Sequence, residues 1–270
     1  VYETKTTTIE KIQAFVDSMG HHMKYRVAKE DGNFMETGWI YASAERGIPK
    51  TFVINAEGRL AWIGHPFYLH EVLQRIVNND WNINEALAKR NSNRYLEQLD
   101  DSQNYELNTY EGDSRIPGDF GKSDSAILRI NEIIGNEPKL KYAPYIARHT
   151  FSALLKTNMH KTYQCGKEFL VIPSYEDFID FDVIIGRIHW WSDKITLTPE
   201  ICKLGAEAYQ AEIDQIPYLE TVDVFGLYNK MAEWYWRAGD KSKVIHAQKK
   251  AIKALRRKKY LHKTLEKVVN

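Results

Sequence analysis

The feature that most constrains this chain is a change of pattern near residue 83. Residues 1 to about 83 alternate short strand-like and helical segments, whereas the rest is almost entirely helical in period. Such a chain is expected to build two regions of different class. At 270 residues, 43% hydrophobic and 27% charged, it is long and apolar enough for real cores, and disorder or collagen-like repeats are excluded. Lys and Arg total 37 against 36 acids, so no global field draws in nucleic acid or an anionic membrane. No apolar run approaches the length of about 20 residues that a membrane helix needs. Two cysteines are too few for a disulfide framework or a four-thiolate zinc site.

In the first region Ile9, Ile12, Phe15, Val16 and Met19 recur at helical spacing before Gly20. Tyr25 to Ala28 is a short extended run, and a helix is expected around Trp39 to Glu45. Thr51 to Ile54 and Leu60 to Ile63 read as two strands joined through Ala56-Glu57-Gly58, a hairpin whose glycine is expected at positive φ. Leu69, Val72, Leu73, Ile76 and Val77 then mark one face of a closing helix.

The run Gly47-Ile48-Pro49-Lys50-Thr51-Phe52-Val53-Ile54, followed by Asn55 to Pro66 with its Trp62-Ile63-Gly64-His65-Pro66, resembles the carboxyl-terminal two thirds of a thioredoxin-like domain of the TlpA or peroxiredoxin-like branch. The resemblance covers residues 1 to about 82 and is strongest from 38 to 81. It implies an α/β thioredoxin-like fold, with Ile48 and a cis Pro49 lining the groove for a protein dithiol or disulfide substrate. It implies no cofactor, since the electrons reside on sulfur, and a place in the bacterial envelope or periplasm. The family's chemistry needs Cys-x-x-Cys at a helix amino end, where the thiolate is stabilised. This sequence has none. Val1 to Thr4 resembles the end of the strand before the helix at Ile9, so the domain is expected to be amino-terminally incomplete, with its dithiol upstream and no catalytic residue here. Trp39, Phe52 and Trp62 are expected to pack.

From Asn84 a helix is expected to about Gln98, then a polar linker from Asp100 to Ser123. Helices are expected at about 124–135, 141–158, 175–191, 199–213, 221–238 and 241–257, an all-α hairpin array that would serve as a protein-interaction domain. Ala232, Tyr235, Gly239 and Ala251 stand at the small, aromatic, turn and small positions of a degenerate 34-residue helix-turn-helix unit, and in this they resemble a tetratricopeptide-like repeat. The organisation is thus 1–82 thioredoxin-like, 83–123 helix and linker, 124–270 helical repeat.

Other constellations are weak. Gly118 to Ser123 lacks the first glycine of a phosphate loop, His70-Glu71 lacks a zinc-protease partner histidine, and His21-His22 reads as a solvated turn, so no metal is expected. Cys165 and Cys202, with 36 residues between them, read as small buried hydrophobes rather than a bridge. Trp190, Trp191, Trp234, Tyr235 and Trp236 cannot all face one way and are expected to divide between core and rim. Lys241 to Lys267 carries eleven Lys or Arg against Glu266 alone, which reads as a solvated terminal face, with no nucleic acid expected. Two functions follow: thiol-disulfide exchange with its active site outside these residues, or a redox-inactive interaction scaffold built on a thioredoxin remnant and helical repeats.

Overall fold

A computed structural model describes residues 8–23, 25–28, 32–45, 49–112, 119–175, 178–216 and 224–269; the side chains of His21, His22, Phe67 and 257–269 lie outside that description. The chain divides into two compact units, Val1–Ile83 and Asn84–Asn270.

In the first unit α1 (Ile9–Met19) precedes a two-stranded antiparallel sheet, β1 (Thr51–Ile54) and β2 (Leu60–Gly64), and α2 (Leu69–Val77) follows. The hairpin forms as its sequence dictates. Asn55 Oδ1 accepts the Arg59 N–H at 2.8 Å, and Gly58 turns the chain at φ +76°. Between Val53↔Trp62 and Ile54↔Leu60 the register shifts, so Ala61 has no partner opposite it and forms a bulge. The Ala61 carbonyl is instead taken by Trp81, whose Nε1–H donates to it at 2.9 Å. Trp39 packs edge-on to Phe52 with ring centroids 5.2 Å apart.

The expectation of an α/β thioredoxin-like fold is overturned here. Among the described residues the only strands are β1 and β2, paired antiparallel, and the structure is otherwise helical. A thioredoxin-like domain needs a larger sheet covered on its faces. Here the extended run Tyr25–Ala28 joins no ladder, Glu36–Tyr41 forms a turn of π-helix, and Val53 and Ala61 are the unit's only buried apolar residues among those described. The apolar stripes of α1 and α2 are where the periodicity puts them, yet neither helix has a buried residue, and Phe15 and Val77 are exposed. Two strands and two short helices cannot bury those stripes among themselves.

The second unit is all helical: α3 (Ile83–Asn108), α4 (Ser123–Asn136), α5 (Pro144–Thr157), α6 (Met159–Phe169), α7 (Asp182–Trp191), α8 (Pro199–Gln215), α9 (Val224–Arg237) and α10 (Lys241–Val269). A smaller core joins Leu96 and Leu107 of α3 to Ile130 and Ile133 of α4 and to Ile146 of α5. The larger one runs from Phe151 and Leu155 through Ile184 and Ile188 to Leu204, Trp234 and Ala247.

Local chemistry places the breaks. Pro144 drives Ala143 into extended backbone (φ −65°, ψ 142°), so the segment expected as one helix over 141–158 is a 3₁₀ turn, Pro138–Tyr142, followed by α5. Asn158 accepts the Lys161 N–H at 3.0 Å and starts α6, a helix absent from the sequence reading, one residue after α5 ends. Thr198 and Pro199 open α8 in the same way. The α9–α10 turn closes as a Schellman motif. Gly239 sits at φ +79°, its N–H bonds Trp236 O, and Asp240 N–H bonds Tyr235 O. Ala232, Tyr235 and Ala251 are buried at this hairpin.

Two further boundaries differ from expectation, and for α3 the reason is visible. Instead of a linker from Asp100, α3 runs on to Asn108, and α7 begins at Asp182 rather than near Tyr175. The inward positions of α3 after Leu96 include Asp100 and Asn104, polar residues that break the apolar pattern but are satisfied by α5.

Candidate functional site

Of the residues expected to line a substrate groove, Pro49 is exposed just before β1, and Ile48, with its peptide bond to Pro49, lies outside the described residues. No thiol sits in that unit. Cys165 is half-buried in α6 and Cys202 is buried in α8, both free. Burial pushes the Cys165 thiol up to about 12, Glu168 adding to the effect, and burial also raises Cys202. Neither supplies thiolate near neutral pH. The aromatic run divides as expected: Trp191, Trp234 and Tyr235 are buried, Trp190 and Trp236 exposed. His70 and Glu71 lie exposed on α2. Among the described residues no group of three His, Cys, Asp or Glu could hold a metal ion, and no helix is long and apolar enough to cross a membrane.

What the helical unit does assemble is a polar cluster on the faces of α3, α5 and α7. Asp100 accepts the Tyr145 N–H through Oδ2 and the Ile146 N–H through Oδ1, both at 2.9 Å. It caps α5 from another helix, in place of Ala143, which has no side-chain acceptor. Burial pushes the Asp100 carboxyl up to about 6 against the pull of those two N–H groups. One turn along α3, Asn104 Oδ1 accepts from Arg148 Nη2 at 2.8 Å and meets His149 Nε2 at 2.9 Å. The other ring nitrogen of His149, 2% exposed, lies 3.0 Å from Glu111 Oε1, within hydrogen-bond distance.

The stem that leaves α3 holds Glu111 in place. Gly112 and Gly121 run so close that a Cβ on either would strike the other strand's backbone, and Lys122 N–H bonds Tyr110 O at 2.9 Å. Gly121 also sits at φ +65°. Residues 113–118, among them the Gly118 that opens the phosphate-loop-like stretch, lie outside the described residues. Past the stem, Phe120 lies 6.2 Å from the Trp191 ring, and Lys156 donates to Phe120 O at 2.9 Å with its ammonium over the same indole.

Charges of both signs act on the cluster. Burial pushes Arg187 down and the neighbouring Arg148 guanidinium pushes the same way, against the pull of Glu111 and Asp182. Burial likewise lowers Lys156, only partly opposed by Glu111 and Asp119. Burial acts to raise Glu111, but His149, Lys156 and Arg187 outweigh it and hold the carboxyl below the usual range. The cluster contains no activated nucleophile.

Sequence reasoning passed over this cluster. The available signal was the recurrence of Arg148, Ser152 and Lys156 at i, i+4, i+8 inside a helix otherwise rich in Ile, Ala, Phe and Leu.

No family model matches the chain, and no solved structure matches it. Among curated proteins it is similar to Protein FixW of Rhizobium leguminosarum, 32% identical over 56 residues, which is 21% of this chain and 25% of that protein. The chain therefore spans about a quarter of the length of the relative it matches.

Proposed function

We propose that this chain acts as a redox-inactive helical interaction scaffold, binding its partners without covalent chemistry. The observation that carries this reading is the state of the two thiols: both are packed into the helical unit, Cys165 half-buried and Cys202 buried, and burial disfavours the thiolate of each. The buried hairpin of α9 and α10, with Ala232, Tyr235, Gly239 and Ala251 at its contacts and turn, supports a tetratricopeptide-like unit at this end. Exposed Trp190 and Trp236 offer the amphipathic rings that protein interfaces favour.

A second reading is thiol-disulfide exchange on protein substrates, with the dithiol on chain beyond this sequence; a bacterial envelope location rests on the same resemblance. The hairpin directly after Pro49 favours it. Two assays test the scaffold reading. The chain is expected to leave insulin disulfides unreduced, and to capture the same polypeptides whether it is wild type or C165S/C202S, with or without reductant. Clear insulin turnover, or capture that disappears with the serine substitutions, would overturn the scaffold reading.

A further inference from the structure

His149 is buried in α5, and each of its ring nitrogens faces an oxygen: Nε2 lies 2.9 Å from Asn104 Oδ1, and Nδ1 lies 3.0 Å from Glu111 Oε1. The Asn104 amide is oriented by other partners. Its Oδ1 also accepts from Arg148 Nη2 at 2.8 Å and from Asn108 Nδ2 at 3.4 Å, which an NH₂ in that place could not do. Nε2 therefore carries a hydrogen. A carboxylate oxygen offers only lone pairs, so at 3.0 Å from Nδ1 a second proton has to lie between the two atoms. It rests on the ring, because Lys156 and Arg187 join His149 in holding the Glu111 carboxyl below the usual range. A histidine satisfied on both sides by these two oxygens is an imidazolium.

The place of the pair in the fold gives that proton a task. Glu111 belongs to the stem closed by Gly112 against Gly121 and by the Lys122 N–H bond to Tyr110 O, and His149 is the α5 side chain that grips it. Without the proton, a nitrogen lone pair faces the carboxylate at the same distance, beside a ring that water hardly reaches. The surrounding charges do not replace the grip. Lys156 on α5 and Arg187 on α7 pull on Glu111 from beyond ion-pair distance, and each is also drawn to a second acid, Lys156 to Asp119 of the stem and Arg187 to Asp182 of α7. Arg148 is engaged with Asn104 and acts on Asp100 of α3, whose own carboxylate is spent on the amino end of α5.

We propose that His149 is a proton-operated latch: with both ring nitrogens protonated it ties the Glu111–Lys122 stem to α3 and α5, and on losing one proton it lets the stem go. The latch is closed on the acid side and opens as pH rises, histidine being the side chain whose charge changes between about pH 5 and 8. It goes beyond the scaffold reading and stands or falls apart from it.

The test is nuclear magnetic resonance on the full chain with isotope-labelled histidine, the His149 ring identified by its absence from H149Q, together with amide exchange from pH 5 to 9. At pH 5 both ring nitrogens are expected to carry hydrogen. Exchange is read as the ratio of the Lys122 amide to the buried Ile188 amide, which cancels the common effect of hydroxide. That ratio is expected to rise at least tenfold as the ring titrates. In E111Q the side-chain amide can accept from Nδ1–H or donate to the bare nitrogen, so the stem stays held in either state and the ratio is expected to change less than threefold. E111Q keeps Asp100, so a pH dependence that persists in it belongs to Asp100 and overturns the latch. If E111Q does not fold, H149Q, which cannot titrate, must abolish the rise. A singly protonated ring at pH 5, or a wild-type ratio that stays constant while the ring titrates, also overturns the proposal.

Discussion

Replacing Asp100 by asparagine makes the buried cluster report on itself. Asp100 is 1% exposed and its carboxyl is pushed from 3.8 up to about 6, so between those values the folded chain holds a proton that the unfolded chain releases. The sign follows from linkage: stability that is fully present below about pH 4 is lost as pH rises through 6. Roughly two pH units at about 1.4 kcal/mol each give about 3 kcal/mol. Asparagine does not titrate. It keeps one acceptor for the amino end of α5 but presents an NH₂ to the second N–H, a pH-independent loss of about 1 kcal/mol. Urea unfolding at pH 4, 5, 6 and 7 is therefore expected to show wild type more stable than D100N at pH 4 and less stable at pH 7, the difference moving by about 3 kcal/mol. A difference that stays constant, or moves in favour of wild type as pH rises, would refute the capping and burial argument.

Two glycine substitutions test the core. In G166A the new Cβ strikes Leu204 and lies 3.1 Å from the Phe151 ring, both fully buried, so overpacking of about 1–3 kcal/mol outweighs a helix gain of about 1 kcal/mol; G135A meets nothing within 4 Å and is expected to stabilise by about 1 kcal/mol. Denaturant midpoints moving the same way in both would contradict that packing. W81F removes the donor to the bulge carbonyl of Ala61 and is expected to cost the first unit about 1 kcal/mol, read as faster amide exchange in β1 and β2; exchange unchanged from wild type would show that the bulge does not need Trp81.

The hairpin and α2 were legible because their signals are local: Gly58 between β-rich runs, and the 69–77 stripe. The fold of the first unit was not, because motif resemblance says nothing of how many strands pair, and Tyr25–Ala28 joins none. In the second unit Pro144, Asn158 and Gly239 mark breaks by backbone chemistry, though the break at Asn158 went unread. The long reach of α3 was hidden because Asp100 and Asn104 look like linker residues until α5 supplies their partners. The cluster of Arg148, Ser152, Arg187 and Trp191 was invisible for the same reason: its members come from two helices separated by α6 and a turn, and only packing brings them to one place.

The account rests most directly on the chain's thiols being packing groups. A chromogenic disulfide reagent added to the native chain at pH 7.5 is expected to release almost nothing over minutes, then two equivalents, one for each cysteine, once denaturant is added. Prompt release of one equivalent from the native chain, abolished by C165S or C202S, would show an available thiolate and contradict it.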